Sequence, residues 1–356
     1  MRTLLRRLGA FLLFLLVALC FAPTLVPPFL DRVYYEGPAS DHFDGRHFFN
    51  PDEPAPARID PRRFLNRWAN GERAAWPDIV PVHPIVPPPR VEGRDMLVTW
   101  IGHSTVLIQT AGLNILTDPI WSERASPFSF LGPRRVRAPG VRFEDLPHID
   151  LVLISHNHYD HMDLPTLGRL WARDRPLIVT SLGNDTILRG EGIDAVARDW
   201  GQALPVRPGV EVLVERVHHW GSRWGTDRNR ALWSGFTIRT PAGNIFFAGD
   251  TGWGGGDWAR AAAAHGPFRL AIIPIGAYLP RDVMQDNHVD PAEAVSIFQA
   301  LNPVRALGVH WGTFQLTFEA IDAPPRALAA ELARRAIAPD RFVATEVGQS
   351  FRVPER

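Results

Sequence analysis

The stretch Leu151–His161 constrains this chain more than any other. Its first five residues, LVLIS, are apolar or small and read as a buried strand. His156, His158, Asp160 and His161 then follow within six positions. Four imidazole and carboxylate groups on one turn are costly to bury without partners, and a metal site is the arrangement that uses them. If that turn ends a core strand, the remaining ligands must come from other strands ending nearby. The rest of the chain can therefore be searched for polar residues that directly follow apolar runs.

Three places meet that description. His218 and His219 follow VEVLVERV, Asp250 follows NIFFAG, and His310 follows RALGV. His156 and His158, two apart, can face one ion, while Asp160 and His161 can serve a second beside it. A pair of ions forms a clamp suited to hydrolysis. The adjacent His218 and His219 point opposite ways in an extended chain, so at most one enters such a site. Taken singly, Asp250 also reads as a turn cap before Gly252, and His310 as a hydrogen-bonded core histidine. The chain has one cysteine, Cys20, in the N-terminal apolar run. That excludes a disulfide framework and a thiolate site in the folded domain, and leaves nitrogen and oxygen as ligands. Zinc accepts such a set, as do iron and manganese.

The chain divides into three parts. Arg2, Arg6 and Arg7 precede an uncharged run from Leu8 to Leu30, long enough for the ~20 residues a bilayer span needs. Residues 1–30 are therefore expected to be an N-terminal membrane anchor, with the catalytic domain on the extracytoplasmic side. A cleaved signal and a secreted protein form the alternative. Residues 31–95 are proline-rich and read as a leader packed along the domain, with a short helix around Pro61–Ala69. From Met96 to the C-terminus short apolar strands recur, at MLVTWI, STVLIQ, LNILTD, LVLIS, PLIVTS, VEVLVERV, LWSGFTIRT, NIFFAG, LAIIPI and RALGVH. Helices are expected at Leu164–Arg173, Asp257–His265, Pro291–Leu301 and Pro325–Arg335. The third carries a capping box, with Asp290 as N-cap, Pro291 next and Glu293 three residues on. Strands first and alternating elements later suggest two sheets with helices outside, an α/β domain. Lys plus Arg and Asp plus Glu each number 38, so net charge gives no case for nucleic acid.

The hallmark H-x-H-x-D-H resembles that of the metallo-β-lactamase superfamily. TWIGHSTVLI, LTDPIWSERASPFSFLGPRRVR, LISHNHYDHMDL, FFAGDTG, AIIPIGAY, HVDPAEA and VHWGTF are similar to its N-acylphosphatidylethanolamine-hydrolysing phospholipase D branch. The likeness runs from about Gly45 to the C-terminus. It implies an αββα sandwich and two zinc ions, with His156, His158 and His219 on the first, Asp160, His161 and His310 on the second, and Asp250 bridging them. His218 falls on a non-ligand position. The activity implied is a zinc-dependent phosphodiesterase that releases an N-acylethanolamine and a phosphatidic acid from a membrane phospholipid. Asp160, Asp250 and His288 are then the catalytic candidates.

His288 precedes the capped helix, whose N-terminus attracts anions, so it is a candidate to contact the phosphate or protonate the leaving group. A surface loop histidine is its plain reading. Asp118, in LTDP, is placed to hydrogen-bond a ligand histidine or simply to start an Asp-Pro turn. Tyr159 and Asn157, between ligands, and Tyr278, in IGAY, are site-lining candidates. Trp220, Trp224, Trp233, Trp253 and Trp258 cluster near two ligand strands, which suits a lipid interface or a core. Two rival functions remain: a same-fold hydrolase of a lactone, β-lactam or non-lipid phosphodiester, and a membrane-tethered metal-binding protein without catalysis. Oligomeric state, a homodimer included, is not written in the sequence.

Overall fold

The structure is a computed structural model that describes residues 6–19, 32–52 and 66–355. Its strands are β1 (Met96–Gly102), β2 (Thr105–Thr110), β3 (Leu113–Thr117), β4 (Leu151–Ile154), β5 (Leu177–Ser181), β6 (Val196–Arg198), β7 (Ala203–Arg207), β8 (Val210–Glu215), β9 (Gly235–Arg239), β10 (Asn244–Phe247), β11 (Phe268–Pro274), β12 (Arg305–Val309), β13 (Phe342–Val343) and β14 (Ser350–Arg352). They form two seven-stranded sheets, ordered β14-β1-β2-β3-β4-β5-β6 and β13-β12-β11-β10-β9-β8-β7.

Alternation along a strand decides which side each residue faces. In β4, Leu151 and Leu153 point into the core between the sheets. Val152 and Ile154 point outward and are covered by Leu167 and Leu170 of the helix Leu164–Asp174. Both faces of β4 are thus buried, which is why its sequence is apolar without a break. The helix Pro291–Leu301 begins as expected. Asp290 accepts from the backbone N–H of Ala292 and Glu293, and the Glu293 side chain accepts from the backbone N–H of Asp290.

Each sheet is part antiparallel and part parallel. The pairs β3–β4, β4–β5 and β5–β6 are parallel in one sheet, and β10–β11, β11–β12 and β12–β13 in the other. In consequence the C-terminal ends of β1, β3 and β4 lie together. So do those of β8, β10, β11 and β12. The Ser234 N–H, before β9, donates to the Ser155 carbonyl oxygen after β4 at 2.9 Å, which puts the two sets of strand ends at the same end of the sandwich.

Three expectations need amendment. Residues 6–19 are helical, but among the described residues no helix is long and apolar enough to cross a membrane. The expected anchor over 1–30 is therefore without support; residues 1–5 and 20–31 lie outside the described part. Of the short helix expected near Pro61–Ala69, residues 66–69 are helical, and 61–65 lie outside the described residues. The helix Asn184–Gly190 and the strands β6, β7, β13 and β14 were not expected. In the leader, Phe43 and Phe48 are buried in the main core, and the backbone N–H of Phe48 donates to the Asn229 carbonyl oxygen at 2.8 Å.

Candidate metal centre

The shared end of the sandwich collects the ligand candidates. Ligand atoms of His156, His158 and His219 lie within 4.8 Å of one another, and so do those of His103, Asp160, His161 and His310. Asp250 joins the two sets: it groups with His156 and His161, and also with His219 and His288. Its Oδ2 lies 3.1 Å from Nε2 of both His161 and His310 and 3.9 Å from His219 Nε2. Asp160 Oδ2 lies 3.3 Å from the same two nitrogens of His161 and His310. His156 Nε2 and His158 Nδ1 are 2.7 Å apart, with His219 Nε2 3.4 Å from the latter.

For three of these rings, His156, His161 and His219, a hydrogen bond on Nδ1 turns Nε2 inward. Asp118, fully buried, accepts from Ser155 N–H at 2.8 Å, from Ser155 Oγ–H at 2.6 Å and from His161 Nδ1–H at 2.7 Å. With its proton directed to Asp118, Ser155 Oγ accepts from His156 Nδ1–H at 2.9 Å. His219 Nδ1–H donates to the Asn287 carbonyl oxygen at 2.9 Å. Each bond places a ring proton on Nδ1 and turns Nε2 toward the candidate ion site. One carboxylate, Asp118, thereby orients a histidine in each half of the site. Asp118 thus contacts His161 directly.

The electrostatics follow from burial and charge. Burial, together with neighbouring histidines, holds His156 well below its usual range, and burial does the same to His219. Burial also takes His158 down to about 3. These rings are neutral, the form that binds metal. Burial opposes charge on His161 and His310 as well, but Asp250 and Asp160 outweigh it, holding His161 well above its range and His310 up at about 9. Those two nitrogens carry protons that an ion must displace.

The donor set fits a pair of cations. Asp250 Oδ1 and His161 Nε2 are buried without a hydrogen-bond partner. No guanidinium pairs with the Asp160 or Asp250 carboxylate among the described residues; their ion pairs are with histidines. Nitrogen and carboxylate oxygen in these numbers suit zinc, and also iron or manganese.

A cavity of about 270 Å³ opens onto this centre, lined by His158, Asp160, Asp250 and His288 on the polar side, with Tyr159 and Trp220 at its rim. His288 is buried with its Nδ1 unpartnered, 3.9 Å from Asp250 Oδ2. Burial pushes it down to about 4. Tyr159 lines the cavity, and the Arg223 guanidinium sits 4.0 Å over its ring. Beside Tyr278, which is not among the cavity's lining residues, Ala277 lines it with left-handed backbone (φ 62°). His218 turns away and packs its ring against Gly254. Of the five tryptophans singled out, Trp220 lines the cavity, Trp233 and Trp258 are core, and Trp224 is exposed.

His103 escaped the sequence reading as a site residue. It sits directly after β1, and its Nε2 lies 2.8 Å from Asp160 Oδ2. The pattern that marked Asp118 and Asp250, a polar residue ending an apolar strand, applies to WIGH as well. His103 (φ 52°), Asp118 (φ 33°), Ala277 (φ 62°) and His310 (φ 64°) all have left-handed backbone. Non-glycine residues rarely adopt it, and at functional sites the cost is offset by the surrounding structure.

Comparison with known proteins agrees with this geometry. A family model described as "Beta-lactamase superfamily domain" matches residues 113–311. The chain is 34% identical over 290 residues to "N-acyl-phosphatidylethanolamine-hydrolyzing phospholipase D 1" of Caenorhabditis elegans, covering 78% of this chain and 81% of that one. It is 35% identical over 228 residues to the protein of Saccharomyces cerevisiae named "N-acyl-phosphatidylethanolamine-hydrolyzing phospholipase D, mitochondrial", covering 62% of this chain and 48% of that one. Among solved structures, Igni18, a metallo hydrolase of Ignicoccus hospitalis, superposes with a TM-score of 0.57 at 20% identity, over 74% of this chain and all (100%) of that one. That likeness concerns the fold.

Proposed function

The chain belongs to the β-lactamase superfamily, with N-acyl-phosphatidylethanolamine-hydrolysing phospholipases D among its relatives, and from that premise we propose a zinc phosphodiesterase of phospholipase D type. It is a metal-dependent hydrolase whose substrate is an N-acylphosphatidylethanolamine-like lipid and whose products are an N-acylethanolamine and a phosphatidic acid. The observation that carries the reading is the sharing of Asp250 between two groups of donors that open onto one cavity.

His156, His158 and His219 would hold one zinc ion, Asp160, His161 and His310 the other, with Asp250 shared. A bound ion pair supplies positive charge at the phosphoryl oxygens and makes a water nucleophile available near neutral pH. Water adds to phosphorus, the bond from phosphorus to the N-acylethanolamine oxygen breaks, and that oxygen leaves with a proton. Asp250 aligns the nucleophile, since its Oδ1 has no other partner. His288 hydrogen-bonds a phosphoryl oxygen from the cavity wall. Ala125, Met284 and Leu316 give an apolar rim for the lipid's glycerol and acyl portions.

The test is hydrolysis by purified protein, assayed against N-acylphosphatidylethanolamine and a lactone in parallel with metal analysis of the same sample. Release of N-acylethanolamine in proportion to bound zinc is expected. Lactone turnover without lipid turnover would refute the phospholipase reading.

A further inference from the structure

Beside the cavity the chain forms a small hairpin, residues 123–135. Arg124 and Arg134 pair across it as an antiparallel bridge. Ala125 N–H donates to the Pro133 carbonyl oxygen at 3.1 Å, and Arg135 N–H to the Glu123 carbonyl oxygen at 2.8 Å. The tip is tied from inside. The Arg124 guanidinium donates to the carbonyl oxygens of Ser129 at 3.1 Å and Gly132 at 2.6 Å. The base is anchored by Arg135, which donates to the Ile120 carbonyl oxygen at 2.8 Å and covers the Phe314 ring at 4.9 Å.

This fixed loop holds its large apolar side chains in water. Phe128 is 46% exposed, Phe130 77% and Leu131 60%. Single exposed apolar residues need no explanation, but three on one pre-ordered tip do. The tip also stands at a particular place. Ala125 lines the 270 Å³ cavity of the metal centre. Ser126 and Pro127 line a neighbouring cavity of about 640 Å³, together with the 43%-exposed Trp224. Tyr159 belongs to both. The apolar tip therefore follows directly, in the chain, the residues that line both cavities, one of them that of the metal centre. Its charges are three arginines, Arg124, the exposed Arg134 and the partly buried Arg135, against Glu123, which lies 4.0 Å from Arg134; the excess of positive charge favours an anionic surface.

We propose that this hairpin is the protein's membrane-insertion element: Phe128, Phe130 and Leu131 enter the headgroup layer of a phospholipid bilayer and seat the mouth of the metal centre on it. The inference rests on the lipid-hydrolase reading. Aromatic and aliphatic side chains at the tip of a rigid loop supply the apolar area that holds a protein at the interface, and Arg134, half-exposed, meets the phosphates.

The full chain carrying Cys20→Ser and Phe130→Cys, labelled with an environment-sensitive fluorophore, tests this on phosphatidylethanolamine/phosphatidylglycerol vesicles free of N-acylated lipid. A blue shift, with quenching by lipid-borne bromine, is expected. In the unlabelled Phe130→Ser, Leu131→Ser variant, both positions being exposed, the ratio of vesicle-substrate to soluble-diester turnover should fall about tenfold or more. A label that stays in water while vesicles are present overturns the insertion element and leaves the hydrolase reading standing. A label that inserts in a protein unable to cleave the lipid does the reverse.

Discussion

Replacing Asp118 by asparagine removes almost no volume yet should disable the metal centre. The carboxylate accepts three hydrogen bonds, two from Ser155 and one from His161. An asparagine oxygen can keep the Ser155 N–H. Its NH₂ then faces the Ser155 hydroxyl and His161 Nδ1, and it can only donate. His161 must give up its Nδ1 proton and keep one on Nε2, the atom that faces Asp250 and Asp160. Ser155 Oγ must accept from the amide, so its own proton turns toward His156 Nδ1 and pushes that ring's proton to Nε2 as well. Loss of one such orienting partner costs 10–100-fold in metal affinity, roughly 1.4–2.8 kcal/mol. Ser155→Ala disturbs only the His156 arm and should cost less. Chelator competition measures both affinities, and ¹⁵N NMR of the imidazoles of His156 and His161 reads the tautomers. An Asp118→Asn protein that binds zinc within twofold of the parent, or keeps both rings protonated on Nδ1, would refute the reasoning.

Further outcomes follow from the same structure. Asp250→Asn should lose bound metal and hydrolysis together, by metal analysis and assay; unchanged activity would remove Asp250 from its shared role. Chelation should lower the melting temperature by the linkage of binding to folding, about 4 kcal/mol when free zinc stands at 1,000 times its dissociation constant, and zinc should restore it in calorimetry. His103→Ala should weaken metal binding about tenfold by releasing Asp160, while His103→Gln, still a donor, should recover most of it in the same titration. His42 gives a pH dependence away from the metal. Burial opposes its charge, but hydrogen bonds with Asp199 and Asp41, at 2.8 and 2.6 Å, raise it above 6.5. Its contribution is therefore full below that value and is lost as pH rises through the folded value. Denaturation midpoints should fall across that window in the parent and stay level in His42→Gln.

The parts of the fold that bury both faces were legible in the sequence, because β4 and β10–β12 read as unbroken apolar runs. The strand β7 was not: with Pro205 inside it and an alternately exposed pattern, it is an edge strand of a kind that apolar runs do not reveal. The helix Asn184–Gly190, seven residues long, gives too little periodicity to stand out. The turn His156–His161 announced itself because its ligands are adjacent in sequence. His103 did not, since its partner Asp160 is 57 residues away and only the β1 end brings them together.

The left-handed residues at the strand ends have a consequence for how this protein can change. Glycine at 103, 118 or 310 would relieve backbone that an L-residue strains to adopt, while deleting a group that touches the metal centre or its support. That relief is worth about 1 kcal/mol, whereas bound metal contributes roughly 4 kcal/mol under the conditions above, so in the loaded protein the exchange is a net loss. The tight turns that aim the ligands therefore tie ruggedness to the ability to hold metal. Heat resistance should drift toward glycine at these positions only in a library sorted without metal, and the product there would be an inert sandwich.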